Sequence, residues 1–319
     1  MEKGYIPKDQ RKKILLLSDD IRTHSGIGNM AKEIVLKTAH HYNWVNIGGA
    51  VKHPEAGKVF DISPDINNLR NITDASVKVY PSDGYGTQHL LRTIMEIEKP
   101  DALMHFTDPR YWVWLYHMEN EIRQKMPMIF YTIWDDVPYP MWNREYYRSD
   151  DMHLCISKQT KNILKNVLKD HPKPDWAVQY LPHGIDENNF YPIINNFEFE
   201  IWKEKFLDKK EYDFVVLFNS RNIRRKNPSD IILSWRTFLD QLPEEKAKKC
   251  LLIMHTEVNF SHGTDLGAVV DNFCDPEIHK VKFSEHKLNI KELNYLYNCS
   301  DAHMFMTDNE GWGLGLTES

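Results

Sequence analysis

Residues 309–319 read NEGWGLGLTES and follow an apolar run from Ala302 to Met306. Seven residues separate Glu310 from Glu318, so the two carboxylates cannot share one strand face or one helical turn. We therefore expect a Gly-rich loop that carries Glu310 and a helix whose first turn carries Glu318. Uncovered N–H groups near such a helix bind phosphate or a sugar hydroxyl, which predicts a nucleotide-sugar site. The alternative is a glycine turn closed by a helix N-cap at Thr317.

Length and composition limit the class of protein. The chain has 319 residues, 41% of them hydrophobic, which suffices for a large core and suggests two domains. Its formal net charge of −6 gives no global basic field for nucleic acid or anionic lipid. Four cysteines without a C-x-x-C pair, and no apolar leader, predict reduced thiols and a cytoplasmic protein. No apolar run approaches the roughly 20 residues that span a bilayer, so we expect no transmembrane segment.

The first half of the chain opens with the pattern of a β-loop-α-β unit. Lys13–Ser18 (KILLLS) predicts a buried parallel strand, Ser25–Ala31 a loop leading into a helix, and Trp44–Ile47 a second strand. The G-x-G-x-x-A spacing is that of a dinucleotide-binding loop. However, the second strand runs into Gly48–Ala50, where a ribose-binding acid would be expected, which disfavours NAD. A loop whose amides face another phosphate or a substrate is favoured.

The α/β alternation continues to about residue 186. The polar stretch Val51–Asp74 contains two prolines and predicts a long loop with little regular structure. We predict further strands at Val77–Tyr80, Ala102–His105, Met128–Ile133, His153–Ile156 and Ala177–Leu181, with helices at Thr87–Glu98, Tyr111–Arg123 and Lys158–Lys169. Ligands bind at the carboxyl ends of such strands, so His105 and Asp108 are candidates for chemistry. The alternative for a single histidine there is a structural role.

The second half repeats the pattern after a polar, aromatic segment that reaches Tyr212. Asp213–Phe218 predicts a strand, and the loop 219–228 (NSRNIRRKNP) opens a helix at Ser229–Leu242. Four cations beside a helix N-terminus fit a diphosphate, whereas the alternatives are a solvated basic surface and a nucleic-acid patch. Further strands at Leu251–Met254, Val281–Phe283 and Ala302–Met306, with a helix at Ile290–Asn298, would complete a second Rossmann-like domain.

In their order, these motifs resemble those of the retaining glycosyltransferases of the GT-B fold, particularly family four. The matching segments are Ser25–Gly28, Pro182–Asp186 with Phe190 and Pro192, Arg221 with Lys226, Leu296–Tyr297 with Ser300–Asp301, and the run from Glu310 to Glu318. The resemblance implies an α/β protein with two Rossmann-like domains facing across a cleft. We expect an N-terminal acceptor domain at 1–186, a linker and interdomain segment at 187–212, and a C-terminal donor-binding domain at 213–319.

The resemblance also assigns roles to individual residues. Arg221 and Lys226 would neutralise the donor diphosphate as it leaves. Glu310 and the amides of Trp312, Gly313 and Leu314 would hold the transferred sugar, Glu318 the ribose, and Gly26 and Gly28 the phosphates from the other domain. His105 is the nearest match to the family's histidine beside the reacting carbon, and Asp108 is its competitor. No metal or cofactor is implied, in keeping with the absence of a D-x-D triplet from the sequence.

The function that the resemblance implies is transfer of a hexose or pentose from a nucleotide-diphosphate sugar, with retention and without metal. The acceptor stays open between a glycan, a lipid headgroup, a protein and a nucleobase, and would lie near His24, Tyr85, Trp112, Trp134 and Tyr139. Two alternatives are a non-catalytic nucleotide-sugar-binding module and a GT-B nucleotide-sugar epimerase. Gly315 replaces the family's proline, and relatives continue beyond Ser319. We therefore expect an incomplete, truncated second domain that a partner chain could complete.

Overall fold

The chain forms two compact units, divided between His183 and Gly184, in a computed structural model that describes residues 4–50 and 54–319. Each unit has its own mainly parallel sheet and its own buried core. The predicted α/β class with two Rossmann-like units is therefore confirmed. None of the helices in the described ranges is both long and apolar enough to cross a membrane.

The described part of the first unit contains an eight-stranded sheet. Its strands are β1 (Lys12–Asp19), β2 (Tyr42–Gly49), β3 (Phe60–Asp61), β4 (Val77–Pro81), β5 (Ala102–Phe106), β6 (Met128–Thr132), β7 (Met152–Cys155) and β8 (Val178–Tyr180). They follow the order β3-β4-β2-β1-β5-β6-β7-β8, and all neighbours are parallel except β3 and β4. The chain therefore reverses its direction of travel across the sheet between β1 and β5, which is where α/β proteins bind ligands.

Helices connect these strands. They are α1 (Gly26–Thr38), α2 (Ser63–Arg70), α3 (Gln88–Glu98), α4 (Val113–Tyr116), α5 (Glu119–Arg123), α6 (Arg144–Ser149) and α7 (Lys158–Val167). Two predictions are wrong. The stretch predicted as a long loop contains β3 and α2, although its residues 51–53 lie outside the described ranges. The helix predicted at Tyr111–Arg123 is divided into a 3-10 turn at Pro109–Trp112, α4 and α5.

The central strand β1 explains why the first unit folds around its sheet. Residues from Ile14 to Asp19 are all buried, because β1 lies between β2 and β5 and has covered faces on both sides. Leu15 and Leu17 pack in one cluster with residues of α3, including Leu91 and Ile94. A continuous apolar run is what a strand buried on both faces requires.

The second unit contains, within the described ranges, a four-stranded parallel sheet in the order β11-β10-β9-β12. These strands are β9 (Phe214–Asn219), β10 (Cys250–His255), β11 (Val281–Ser284) and β12 (Ala302–His303). Its helices are α8 (Phe197–Phe206), α9 (Pro228–Leu239), α10 (Glu244–Ala247), α11 (Leu266–Phe273), α12 (Ile290–Asn298) and α13 (Leu314–Glu318). The switch in direction here falls between β9 and β12. Strand β12 ends three residues before the predicted Met306.

The segment that precedes β9 packs on α12 of the same unit. Phe199 of α8 contacts Tyr295 of α12, with ring centroids 5.5 Å apart. Upstream of α8, the Ile193 N–H donates to Asn298 Oδ1 at 2.8 Å, and Asn294 Nδ2 donates to the carbonyl of Tyr191 at 3.2 Å. These contacts attach residues 191–206 to the helix that leads into β12.

Candidate functional site

Two loops lie side by side at the switch point of the second unit. One follows β9 and reaches the start of α9 through a single 3-10 turn at Arg224–Lys226, and we call it the cationic loop (residues 220–227). The other follows β12 and ends at α13, and we call it the acidic loop (residues 304–313). Because β9 and β12 are neighbours in the sheet, loops that are far apart in sequence meet at this edge.

Hydrogen bonds join the cationic and acidic loops. The carbonyl of Arg225 accepts from the Asp308 N–H at 2.9 Å and from Thr307 Oγ1 at 3.1 Å. The Arg225 guanidinium in turn donates to the Asn309 carbonyl at 2.7 Å, and Asn227 Nδ2 donates to Asp308 Oδ1 at 2.8 Å. The two loops thus form one structural element, in which the positions of cations and acids depend on each other.

The centre of this element is the carboxylate of Glu310. It forms a close ion pair with Lys226 and a second pair with Arg225 at 3.2 Å. The side chains of Lys226 and Glu310 are only 11% and 18% exposed, whereas Arg225 is 45% exposed. Lys226 Nζ also lies 5.3 Å from the centroid of the Phe305 ring. The structure therefore brings two of the predicted site residues together in a sheltered, charge-assisted contact.

Arg221 occupies the start of the cationic loop and is exposed. Its carbonyl accepts from the Ile223 N–H at 2.9 Å. Across the described residues, the Arg221 guanidinium has no hydrogen bond and no ion pair. Its full positive charge is therefore available to an anion that reaches this edge of the sheet.

The other predicted acid, Glu318, is the last residue of α13 and lies just after its first turn, whereas it was predicted within that turn. Its Oε2 accepts from the Tyr297 hydroxyl at 2.8 Å, and Asn219 Nδ2 donates to the same hydroxyl at 2.8 Å. Burial raises the pKa of Glu318, while the hydrogen bond from Tyr297 lowers it. The carboxylate is thus partly buried and held in one orientation.

Helix α13 begins four residues earlier than an N-cap at Thr317 would place it. Gly313, with a φ of +82°, is the N-cap residue, and the Leu316 N–H donates to its carbonyl at 3.0 Å. Thr317 lies inside the helix, and its hydroxyl donates to the carbonyl of Leu314 at 3.0 Å. An N-cap at Thr317 is therefore wrong. A left-handed φ is readily adopted by glycine, which accounts for the residue type at 313.

In the first unit, the loop after β1 packs tightly around Gly28. Ser25 caps α1 by accepting from the Gly28 N–H at 2.9 Å, and its hydroxyl donates to the carboxylate of Asp19. A Cβ on Gly28 would lie 2.6 Å from Thr23 Oγ1, whereas a Cβ on Gly26 would meet nothing within 4 Å. Burial raises the pKa of Asp19, and the Ser25 hydrogen bond opposes it. Of the two predicted glycines, only Gly26 faces open space.

His105 requires a correction. It lies inside β5, is 0% exposed, and its Nδ1 is 2.8 Å from the Tyr116 hydroxyl. Its ring stacks on Phe130, with centroids 4.8 Å apart. Burial lowers the pKa of His105 to about 3, so the ring is neutral at pH 7. His105 therefore lies one residue inside the carboxyl end of β5, and its burial in the core argues against the predicted contact with a substrate.

Asp108 does lie beyond β5, at the carboxyl edge of the sheet. It caps the 3-10 turn by accepting from the Arg110 N–H at 3.0 Å, and its carboxylate pairs with both Nε and Nη2 of that arginine. The Arg110 guanidinium lies 5.3 Å from the centroid of the Trp134 ring. Nearby, Tyr85 and Tyr111 stack at 4.9 Å with nearly parallel rings. Trp112, by contrast, is fully buried and belongs to the core.

Two residues of the second-unit site were not among the predicted site residues. Arg225 was visible only as one of four cations in the loop, and nothing in the spacing distinguished it from Arg224. Tyr297 was part of a matching motif, but its contact with Glu318 spans 21 positions and depends on where α12 and α13 lie. Contacts of this kind follow from the sheet order, which a single sequence does not give directly.

The fold is of the GT-B type, which this chain shares with solved structures of glycosyltransferases. No family model matches the chain, and no curated protein matches its sequence. One similar structure is an α,α-trehalose-phosphate synthase (UDP-forming) from Burkholderia vietnamiensis. The alignment covers 96% of this chain and 81% of the synthase, with 11% identity and a TM-score of 0.64. A sucrose-phosphate synthase from Thermosynechococcus elongatus covers 96% and 78%, with 12% identity and a TM-score of 0.64.

A third similar structure is trehalose-6-phosphate from E. coli bound with UDP-2-fluoro glucose, and the alignment covers 96% of this chain and 81% of that one. Its identity is 10% and its TM-score 0.62. At such identities the comparison establishes a common fold.

Proposed function

We propose that this chain is a retaining glycosyltransferase that moves a hexose or pentose from a nucleotide-diphosphate sugar. The observation that carries the proposal is the pairing of Lys226 with Glu310 at the switch point of the second unit. A cation and an acid held together there provide charge for a leaving diphosphate and an acceptor for sugar hydroxyls. The neighbour with UDP-2-fluoro glucose supports a donor of this chemical class.

The chemistry assigns each charge a task. As the bond between sugar and diphosphate breaks, negative charge develops on the leaving phosphate, and preorganised cations stabilise that charge. Arg221, without a partner in the described ranges, and Lys226 would supply them. When the diphosphate binds Lys226, the carboxylate of Glu310 keeps its contact with Arg225 and can accept from hydroxyls of the transferred sugar. This exchange of partners needs neither a metal nor a cofactor.

The remaining donor contacts follow from positions around the two loops. We propose that the amides of Trp312, Gly313 and Leu314 contact the transferred sugar and that Glu318 binds the ribose. In the first unit, we propose that the backbone of Gly26, whose Cβ position is open, binds phosphate. Gly28 contributes by allowing the loop after β1 to close on Thr23 and Asp20.

The first unit is the proposed acceptor domain. Asp108 and Arg110 form a partly exposed charged pair beside the Trp134 ring. Tyr139 is 39% exposed in the same segment as Trp134. Flat apolar faces beside hydrogen-bonding groups suit a sugar, a headgroup or a base as acceptor.

A donor panel tests the proposal. The protein is incubated with UDP-, GDP- and ADP-sugars, and release of the nucleoside diphosphate is measured with and without EDTA. We expect turnover of one donor that EDTA leaves unchanged. Lys226→Ala and Glu310→Gln should each reduce kcat/KM by about 10²-fold or more. The control Lys291→Ala removes an exposed lysine paired with Glu198 and should match the wild type.

The panel also separates the alternatives. Proton NMR of the product must show the anomeric configuration of the donor, and an inverted product would contradict retention. Calorimetric binding of a nucleotide sugar without turnover would identify a non-catalytic module. A changed sugar that forms without acceptor would identify an epimerase. Absence of both binding and turnover for every donor would overturn the proposal.

A further inference from the structure

A chain of two hydrogen bonds in the second unit ends on Glu318. Asn219 Nδ2 donates to the Tyr297 hydroxyl, and that hydroxyl donates to Glu318 Oε2, each at 2.8 Å. We infer that Tyr297 is a positioning residue, which fixes one oxygen of Glu318 so that the other is presented to the ribose hydroxyls of the donor. The inference rests on the proposed function and deepens it, since it identifies what orients the ribose-binding acid.

These two hydrogen bonds connect three elements of the second unit. Asn219 is the last residue of β9, Tyr297 lies in the last turn of α12, and Glu318 ends α13. Gly315 of α13 packs over these two hydrogen bonds, since a Cβ there would lie 3.5 Å from the Asn219 carbonyl and 3.7 Å from the Tyr297 hydroxyl. The helix that carries Glu318 is therefore seated directly on the groups that hold its side chain.

The direction of the two hydrogen bonds is fixed by chemistry. An amide nitrogen can only donate, so the Tyr297 oxygen accepts from Asn219. A tyrosine hydroxyl has a single proton, which is then directed to Glu318. Burial and the neighbouring Glu318 charge raise the pKa of Tyr297 far above its usual range, so this proton stays in place at any ordinary pH.

Only one of the two carboxylate oxygens of Glu318 accepts a hydrogen bond within the described ranges. Across residues 4–50 and 54–319, Glu318 Oε2 accepts from Tyr297, and Oε1 has no hydrogen-bond partner. Glu318 is partly exposed, so a ligand can reach it. A glutamate that is free to rotate loses side-chain entropy when it binds a hydroxyl, whereas one already fixed has little left to lose. Positioning by Tyr297 would therefore increase affinity specifically through the ribose.

The test compares a ribonucleotide with one that lacks the ribose hydroxyls. Calorimetry measures the Kd of UDP, GDP and ADP, and of the 2′,3′-dideoxy form of the one that binds. Wild type should bind the ribonucleotide about tenfold or more tightly than the dideoxy form, as expected for hydrogen bonds to a charged group. Tyr297→Phe should raise the Kd of the ribonucleotide about tenfold and change the Kd of the dideoxy form by less than about twofold.

Two further variants act as control and second probe. Tyr295→Phe removes a hydroxyl from an equally buried tyrosine of the same helix, whose oxygen lies 3.4 Å from Glu198 instead. It should leave both Kd values unchanged. Asn219→Ala removes the hydrogen bond from Asn219 to the Tyr297 hydroxyl and should reduce the preference for the ribonucleotide, as Tyr297→Phe does. This variant replaces Tyr297→Phe in the test if Tyr297→Phe fails to fold.

The possible outcomes are distinct. If Tyr297→Phe weakens both nucleotides equally, or neither, Tyr297 supports α13 without orienting Glu318, and the inference is overturned. If wild type binds no nucleoside diphosphate at all, the proposed function fails first, and the inference fails with it. A loss confined to the ribonucleotide supports the inference.

Discussion

His105 shows how one residue can match a family pattern and still belong to the core. Its ring lies between Phe130 and Trp112, and its single hydrogen bond goes to Tyr116. A neutral, fully buried imidazole cannot exchange protons with a substrate at the surface of the sheet. Its role at this position is to satisfy a buried hydroxyl.

We therefore expect His105→Phe to affect stability rather than turnover. The variant leaves the Tyr116 hydroxyl buried without a partner, which should lower the free energy of unfolding by about 1–3 kcal/mol. Urea unfolding measures that loss, and donor turnover per folded molecule should stay within a few-fold of wild type. The double variant with Tyr116→Phe should recover part of the loss. A 100-fold fall in kcat at unchanged stability would instead make His105 catalytic.

Asp150 is a buried acid with an unusual environment. It is 0% exposed, and among the described residues neither carboxylate oxygen has a hydrogen-bond partner. Lys173 Nζ donates to the backbone carbonyls of Arg148 and Asp150. Burial raises the pKa of Asp150 well above its usual value, and the charge of Lys173 only partly opposes this.

This raised pKa fixes the sign of a pH dependence. Below the unfolded-state pKa of about 4 both states hold the proton, and Asp150 has no net effect. Above it the unfolded chain releases the proton while the folded chain keeps it, so stability falls as pH rises, by up to about 1.4 kcal/mol per pH unit until the folded pKa is reached. Asp150→Asn cannot ionise. Its stability relative to wild type should rise between pH 5 and pH 8 in thermal unfolding.

Asp175→Asn is the control for that measurement. The Asp175 side chain is 96% exposed, so its replacement should leave the pH profile of stability parallel to that of wild type. A constant difference between Asp150→Asn and wild type across the pH range would show that Asp150 is ionised in the folded protein.

The start of α1 depends on two glycines with different surroundings. Gly28→Ala would place a Cβ 2.6 Å from Thr23 Oγ1 and 3.0 Å from the Asp20 carbonyl, so the loop must shift. Gly26→Ala meets open space. We expect Gly28→Ala to lower the free energy of unfolding by about 1–3 kcal/mol. Gly26→Ala should be neutral or slightly stabilising. Equal effects in urea unfolding would contradict the packing described for Gly28.

Strong hydrophobic patterns made several elements predictable. The seven strands predicted in the first half of the chain all exist within two residues of their expected ends, because continuous apolar runs mark buried parallel strands. Helix α2 was missed since Ile66 is its only buried residue, which leaves no apolar period to detect. Its Pro64 reads as a helix breaker, yet it occupies the first turn, where proline is tolerated.

The candidate site was predictable in its residue types and not in its contacts. The Gly-rich stretch with two acids and the loop with four cations indicated a diphosphate and a sugar. The sequence could not show that Glu310 pairs with Lys226, because 84 positions separate them and their contact depends on β9 lying beside β12. Likewise, His105 matched by position in the chain, but burial is a property of the assembled sheet.

At the scale of the whole molecule, the chain repeats one architecture. Both units place their first strand inside a mainly parallel sheet, and the strand order changes direction beside that strand. In the second unit, that switch point carries the joined cationic and acidic loops. The central claim is that these loops bind the diphosphate of a nucleotide sugar.

Calorimetry that separates phosphate from nucleoside tests this claim most directly. For the nucleotide that binds, the Kd values of the diphosphate and of the bare nucleoside are measured with wild type, Lys226→Ala and the control Lys291→Ala. We predict that Lys226→Ala weakens the diphosphate at least tenfold, as loss of a charge-assisted contact should, and leaves the nucleoside unchanged. A Lys226→Ala variant that binds the diphosphate as tightly as wild type would contradict the account.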